Sequence, residues 1–167
     1  MPYLSMPVNI NQNHDSVANT RSYGCAVCCA TDVASFYGNT TYTLADMRAH
    51  GVYTNTDATC YWENVPNTYF SSNLTYTSQS QYFSRIKREI DKNRPVIVHM
   101  NSGHYVVAYG YSDTGDTTEK IEVLDPYNST GSGVYSDDPE GQDITLATSM
   151  RIQGASEIDF IKVTVAQ

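Results

Sequence analysis

The sequence predicts an α+β fold with N-terminal helices packed on an antiparallel sheet, and three observations lead there. Two stretches, from Cys25 to Gly38 and from Ser78 to Asn93, repeat apolar positions at helical spacing. From Pro95 onward the chain changes to short β-branched and aromatic runs bounded by Gly, Asp and Pro. Helices come first and strands follow, an order that points away from alternating βαβ units with a parallel sheet. At 167 residues, with no internal repeat or low-complexity tract, the chain reads as a single domain, residues 1–167. That size buries a core without metal or disulfide staples.

Taken in order, residues 1 to 24 show no clear period and are full of Asn, Pro and Ser, so they read as an extended arm that must be held against the body to be ordered. From Cys25, the positions Ala26, Cys29, Ala30, Val33, Ala34 and Tyr37 recur at helical spacing, and Gly38 supplies the stop. A second helix fits Thr43 to His50, with Thr43 as N-cap, Asp46 in a variant capping box and Gly51 closing it. Residues 52 to 77 read as irregular connection. Ser78 or Ser80 caps a third helix whose face is Tyr82, Phe83, Ile86 and Ile90, ended by Asn93 and Pro95. Strands are expected at PVIVHM (95–100), HYVVAYGY (104–111), KIEVLDP (120–126) and IDFIKVTV (158–165). Residues 127 to 143 are rich in Gly, Ser and Asp and are expected as a mobile loop at a cleft rim, where Tyr127 and Tyr135 would shape access.

A formal charge of −8 and a pI near 4.7 argue against a nucleic-acid groove, because phosphate binding needs clustered Lys and Arg. The densest basic stretch, Arg85 to Arg94, alternates with Glu89 and Asp91 and reads as a solvated helix face. No apolar run approaches the roughly 20 residues of a membrane span. MPYLSMPVNINQ lacks the charged and apolar regions of a signal peptide. The expectation is a soluble chain without an export signal of its own, cytoplasmic or released to the cell wall.

The chemistry gathers in GCAVCCATDVASFYG, residues 24 to 38, which holds three of the four cysteines. A thiolate is the nucleophilic form, and the exposed N–H groups and dipole of a helix N-terminus favour it. Cys25 occupies that position. Cys28 and Cys29 lie one turn inward, where cysteine behaves as a small hydrophobe. Three alternatives stand beside a nucleophile. Cys25 and Cys28 form a C-x-x-C, as in thioredoxin-like redox sites, but the polar arm is a poor preceding strand. A zinc site needs a second ligand pair, and only Cys60 and isolated histidines remain. Cys60 could bond one of the three, yet four cysteines without a signal peptide favour free thiols.

A nucleophilic cysteine needs a histidine to pair with its thiolate and protonate the leaving amine, and a polar group to hold that ring. His14 in the arm and His50 at a helix end are read as surface residues, and His99 as a residue within a strand. His104 follows NSG and opens an apolar strand, which sets its imidazole at a strand end beside a turn. The next strand ends at Asp125, and antiparallel pairing would bring it near His104 to hold the ring's tautomer. Asp-Pro is also a common turn former. An oxyanion hole would combine a backbone N–H at the helix start with a side-chain donor. Gln12 is the leading candidate in the arm, with Asn11, Asn13 and Asn19 as competitors.

The order of Gln12, Gly24-Cys25 opening a helix, GHYVV (103–107) and LDP (124–126) resembles the C39-like branch of papain-like cysteine peptidases. The pieces that carry the resemblance are YGCAVCCATDVASFYG, PVIVHMNSGHYVVAYGY and IEVLDPY, spanning most of the chain in the family's order. The resemblance implies the papain-like α+β fold, Cys25 as nucleophile, His104 as general acid and base, Asp125 as its orienting partner and Gln12 as oxyanion donor. The interval from Gln12 to Cys25 is longer than the family usually shows, and an inserted loop, HDSVANTRS, accounts for it. The transporter segments of the family's exporter members are absent, so a free-standing hydrolase, or a catalytic domain cut from a longer chain, is expected rather than a leader peptidase. Such domains also occur in bacterial and phage cell-wall lysins, so the resemblance permits peptide crosslinks of peptidoglycan as substrate.

The expected protein is therefore a monomeric thiol hydrolase that needs no cofactor and no metal. Its partner is a peptide or peptidoglycan-peptide substrate, not nucleic acid or membrane. Its rivals are a thiol-exchange protein using Cys25 and Cys28, and a peptide- or glycan-binding module on the same scaffold.

Overall fold

The computed structural model describes residues 3–12, 24–112, 117–127 and 141–167. Helix α1 (Cys25–Gly38) starts after Gly24 and ends where Asn39 turns left-handed at φ 48°. Its N–H donates back to Phe36 O, satisfying a terminal carbonyl. Helix α2 (Leu44–Ala49) opens on the expected reciprocal cap: the Asp46 N–H donates to Thr43 Oγ1 at 3.2 Å and the Thr43 N–H to Asp46 Oδ2 at 2.8 Å. Helix α3 (Gln79–Asp91) is capped by Ser78, with Gln81 returning the bond at 3.0 Å. Tyr82, Phe83, Ile86 and Ile90 are buried, as the spacing predicts, but so are Lys87 and Glu89, the latter paired with Arg85 and Arg94, so the stretch expected as a solvated face is partly interior.

The strands are β1 (Thr68–Phe70), β2 (Val96–Met100), β3 (Tyr105–Tyr111), β4 (Ile121–Asp125), β5 (Gln142–Thr145), β6 (Ile158–Lys162) and β7 (Thr164–Ala166), with helix α4 (Leu146–Gln153) between β5 and β6. Five of them form one antiparallel sheet in the order β5-β4-β3-β2-β6, and β1 pairs with β7. Three sequence expectations change here. Residues 52 to 77 are not wholly irregular: they contain a 3-10 turn at Trp62–Asn64 and the strand β1. A three-residue strand gives too little alternation to be legible, and its partner β7 lies at the far end of the chain. The expected strand 158–165 is two strands in two sheets, dividing at Val163. The end of the expected loop 127–143 enters β5 at Gln142, and residues 144–153, to which the sequence assigns no element, complete β5 and supply α4. Residues 128–140 of the expected rim loop, Tyr135 among them, lie outside the described residues, while Tyr127 lines the cleft.

Helix α1 is buried along nearly its whole length and belongs to two apolar clusters. Its Cys29 and Val33 join the sheet and α3 in one, while Val27, Cys28, Ala30 and Ala34 join Leu44, Met47, Val52, Tyr53 and Val65 in the other. The helix thus stands between a sheet-side wall and a wall built by α2 and the segment that follows it. The described part of the arm is tied down at several points, among them the Gly141 N–H donating to Asn9 O at 2.9 Å. Tyr3 bridges Gly110, and the Leu4 N–H donates to Tyr109 O at 2.9 Å. The Ile10 N–H donates to Asp32 Oδ1 at 3.1 Å, and the Gln12 N–H to Pro126 O at 2.7 Å. Among the described residues no helix is long and apolar enough to cross a membrane.

Candidate active site

A cleft of about 840 Å³ opens at the start of α1, where the two walls meet. Cys25 is the first residue of that helix and lines the cleft; its own backbone N–H precedes the helical hydrogen-bond ladder. The other thiols are differently placed. Cys28 and Cys29 are fully buried, one in each apolar cluster, and burial pushes the Cys29 thiol well up. Cys60 lines the cleft, and there too burial raises the thiol strongly. All four cysteines are free. With Cys28 sealed in the core, Cys25 and Cys28 do not present an accessible dithiol. Among the described residues no group of three His, Cys, Asp or Glu side chains could hold a metal ion.

His104 is set by a tight β2–β3 connection. The Met100 N–H donates to His104 O at 2.9 Å and the Gly103 N–H to Met100 O at 2.9 Å. Gly103 carries φ +95°, which a side chain would strain, so glycine here places the next residue at the cleft. The pairing Val107↔Leu124 between β3 and β4 then brings the end of β4 beside the start of β3. His104 Nε2 lies 2.7 Å from Asp125 Oδ1, with both side chains buried. That carboxylate is held further: its Oδ1 accepts the Tyr127 N–H at 2.8 Å and its Oδ2 accepts the Ser149 hydroxyl at 2.6 Å. With Nε2 committed to Asp125, Nδ1 is the ring nitrogen left for Cys25. Burial alone would depress the ring, but the hydrogen bonds and charges of Asp125 and Cys25 outweigh it and raise its pKa to about 9.

Gln12 is buried and lines the same cleft, fastened through its backbone to the Asp125-Pro126 turn. Asn11 is also buried but does not line the cleft, whereas Asn13, Asn19, His14 and the expected insertion HDSVANTRS lie outside the described residues. His50 stands at the end of α2, and its ring meets Tyr42 edge-on. His99 is 2.5 Å from Asp159 and stacks on Phe160 at 4.3 Å, a packed strand residue rather than a cleft group. Sequence reasoning thus brought Cys25, His104, Asp125 and Gln12 to one place. It missed Ser149, carried on a helix it did not assign, and the wall from Thr56 to Trp62 that completes the cleft. It also missed Asp32, a fully buried acid whose carboxyl burial holds well above its usual range.

The profile of the Peptidase_C39 like family matches residues 6–149 of the chain. No curated protein matches it. A solved structure of similar fold is a double glycine motif protease from an AMS/PCAT transporter, crystallised in complex with the leader peptide. The two share 14% sequence identity at a TM-score of 0.56, over 99% of this chain and 94% of that one.

Proposed function

The chain belongs to the Peptidase_C39 like family of cysteine peptidases, and on that premise we propose that it hydrolyses peptide bonds through Cys25, His104 and Asp125, with Gln12 completing the oxyanion hole. The observation that carries this reading is one buried imidazole joined on one side to a triply hydrogen-bonded carboxylate and on the other to the cleft thiol. In the reaction, His104 Nδ1 takes the Cys25 proton, and the thiolate attacks the substrate carbonyl. The resulting oxyanion is met by the backbone N–H at the start of α1 and the Gln12 amide. The imidazolium then protonates the leaving amine, giving an acyl-enzyme on Cys25 that water, deprotonated by the same ring, hydrolyses. Asp125 keeps the tautomer and steadies the imidazolium.

The double glycine motif protease of similar fold was crystallised with a leader peptide, and a peptide in the cleft is the part of that likeness carried over here. Within that class the narrower target we propose is the short peptide crosslink of peptidoglycan, read by release of wall fragments against cleavage of free peptides. The chain is taken as one catalytic domain acting as a monomer. The primary test is iodoacetamide labelling of Cys25 from pH 4 to about 9, in the native protein and in His104→Ala. Rapid labelling on the acidic side that disappears without His104 is the expected result. Identical pH profiles in both proteins would overturn the triad.

A further inference from the structure

The cleft wall facing away from the sheet carries a charge that the triad does not use. Residues 54 to 59 form a compact turn. The Asp57 N–H donates to Thr54 Oγ1 at 3.0 Å, and the Thr54 N–H to Asp57 O at 3.1 Å. Asp57 Oδ1 in turn accepts the Thr59 N–H at 2.9 Å and the Thr59 hydroxyl at 2.8 Å. One oxygen of the carboxylate is therefore occupied in holding the turn. The other has no partner among the described residues, and no lysine or arginine there stands against it. The Thr59 bonds favour the ionised form, so the group is a fixed anion at neutral pH. Among the described residues that line the cleft, Asp57 is the one carboxylate, and none is a lysine or arginine.

Position gives that anion a role. The segment bearing Asp57 continues through Cys60 and Trp62, which pack on the cluster shared by α1 and α2, while His104 and Tyr105 stand on the sheet wall. Cys25, the His104 ring and Asp57 thus line one cleft, the ring on its sheet side and Asp57 on the segment that packs on the other cluster. We propose that Asp57 is a specificity residue that receives a cationic side chain, an ammonium or guanidinium, close to the scissile bond. The proposal rests on the peptidase reading of the cleft and adds the substrate's charge to it. The chain's net charge of −8 acts in the same direction, drawing cationic peptides toward the protein at low salt. An ion pair at this exposed carboxylate contributes up to about 5-fold in affinity.

Binding and cleavage are measured separately so that the two readings fail separately. A pooled library of blocked lysine-containing hexapeptides, and the same library after lysine acetylation, are bound to Cys25→Ala and to the double variant Cys25→Ala/Asp57→Asn. Asparagine keeps the Oδ1 acceptor that Thr59 uses, so the turn is preserved and only charge is removed. The expected result is at least 3-fold tighter binding of the unmodified library to Cys25→Ala. At 0.5 M salt, where the long-range pull of the remaining net charge is screened, what is left of that preference should be abolished in the double variant. Equal binding of both libraries, or a preference that survives Asp57→Asn at that salt, overturns the proposal. Wild-type protein that shows the binding preference yet cuts no peptide would leave Asp57 as the cation site and count against the hydrolase reading alone.

Discussion

Burial holds the Asp32 carboxyl well above its ordinary range, although its Oδ1 accepts the Ile10 N–H. An acid whose pKa rises on folding binds its proton more tightly in the native state. Its contribution is complete below the unfolded value near 3.8 and is lost as pH climbs through the folded one. At neutral pH this group is thus a cost. Asp32→Asn keeps the acceptor for Ile10 and cannot ionise. The variant is expected to melt higher than wild type at pH 7.5 and to match it near pH 4, and equal melting temperatures at pH 7.5 would overturn this. His104 runs the other way in sign. Its pKa rises from 6.5 to about 9, so its contribution is complete below 6.5 and fades as pH rises through 9. Thermal melts of wild type and Asp125→Asn should differ most at pH 6 and converge toward pH 10. A difference independent of pH would mean that the pair does not share the proton.

Helix α4 shows how one element supports another's chemistry. Ser149 is buried on it and donates to Asp125 Oδ2, while Gly141, just before β5, lies so close to the Asp125 carbonyl that a Cβ would collide with it. Ser149→Ala strands a buried carboxylate oxygen, an effect of about 1–3 kcal/mol on stability. It should also shift the alkaline limb of kcat/KM, because the hydroxyl tunes and orients the carboxylate that holds the imidazolium. An unchanged limb would make Ser149 purely structural. None of this was legible beforehand. The helices around Cys25 and Ile86 announce themselves because apolar and small residues recur at helical spacing, although α1 is buried on every side from Ala26 to Ser35. The β2–β3–β4 strands do so because they are apolar and punctuated by Gly and Pro, and with them came His104 beside Asp125. Helix α4, with Thr148, Ser149, Arg151 and Gln153 mixed among its apolar residues, carries too weak a stripe. The strand β1 owes its existence to β7, a partner nearly a hundred residues away. Asp32 reads as a polar helix position, because only the arm folding back over it makes it an interior one.

The molecule as a whole turns on α1, which contributes residues to both apolar clusters and so links the two cleft walls. Trp62, the single tryptophan, sits at their junction: its ring meets Phe70 at 4.8 Å and Tyr105 at 5.8 Å, and Lys162 lies over it at 5.3 Å. If the clusters fold together, Trp62 fluorescence and far-ultraviolet circular dichroism must report the same denaturation midpoint. Val27 and Val33 allow a sharper test, because both are wholly buried on α1 but face different clusters. Truncating either to alanine removes two buried methyl groups, about 2 kcal/mol with the residual cavity. In a single cooperative domain each variant lowers the one shared midpoint by a similar amount without changing the slope of the transition. Were the walls separate units, Val27→Ala would move only a transition of the α2 side and Val33→Ala only one of the sheet, and the two probes would part. Cooperativity matters to the chemistry, because Cys25 opens α1 and His104 directly precedes β3, the strand on which α1 packs. The geometry of their pair is then as stable as the whole domain.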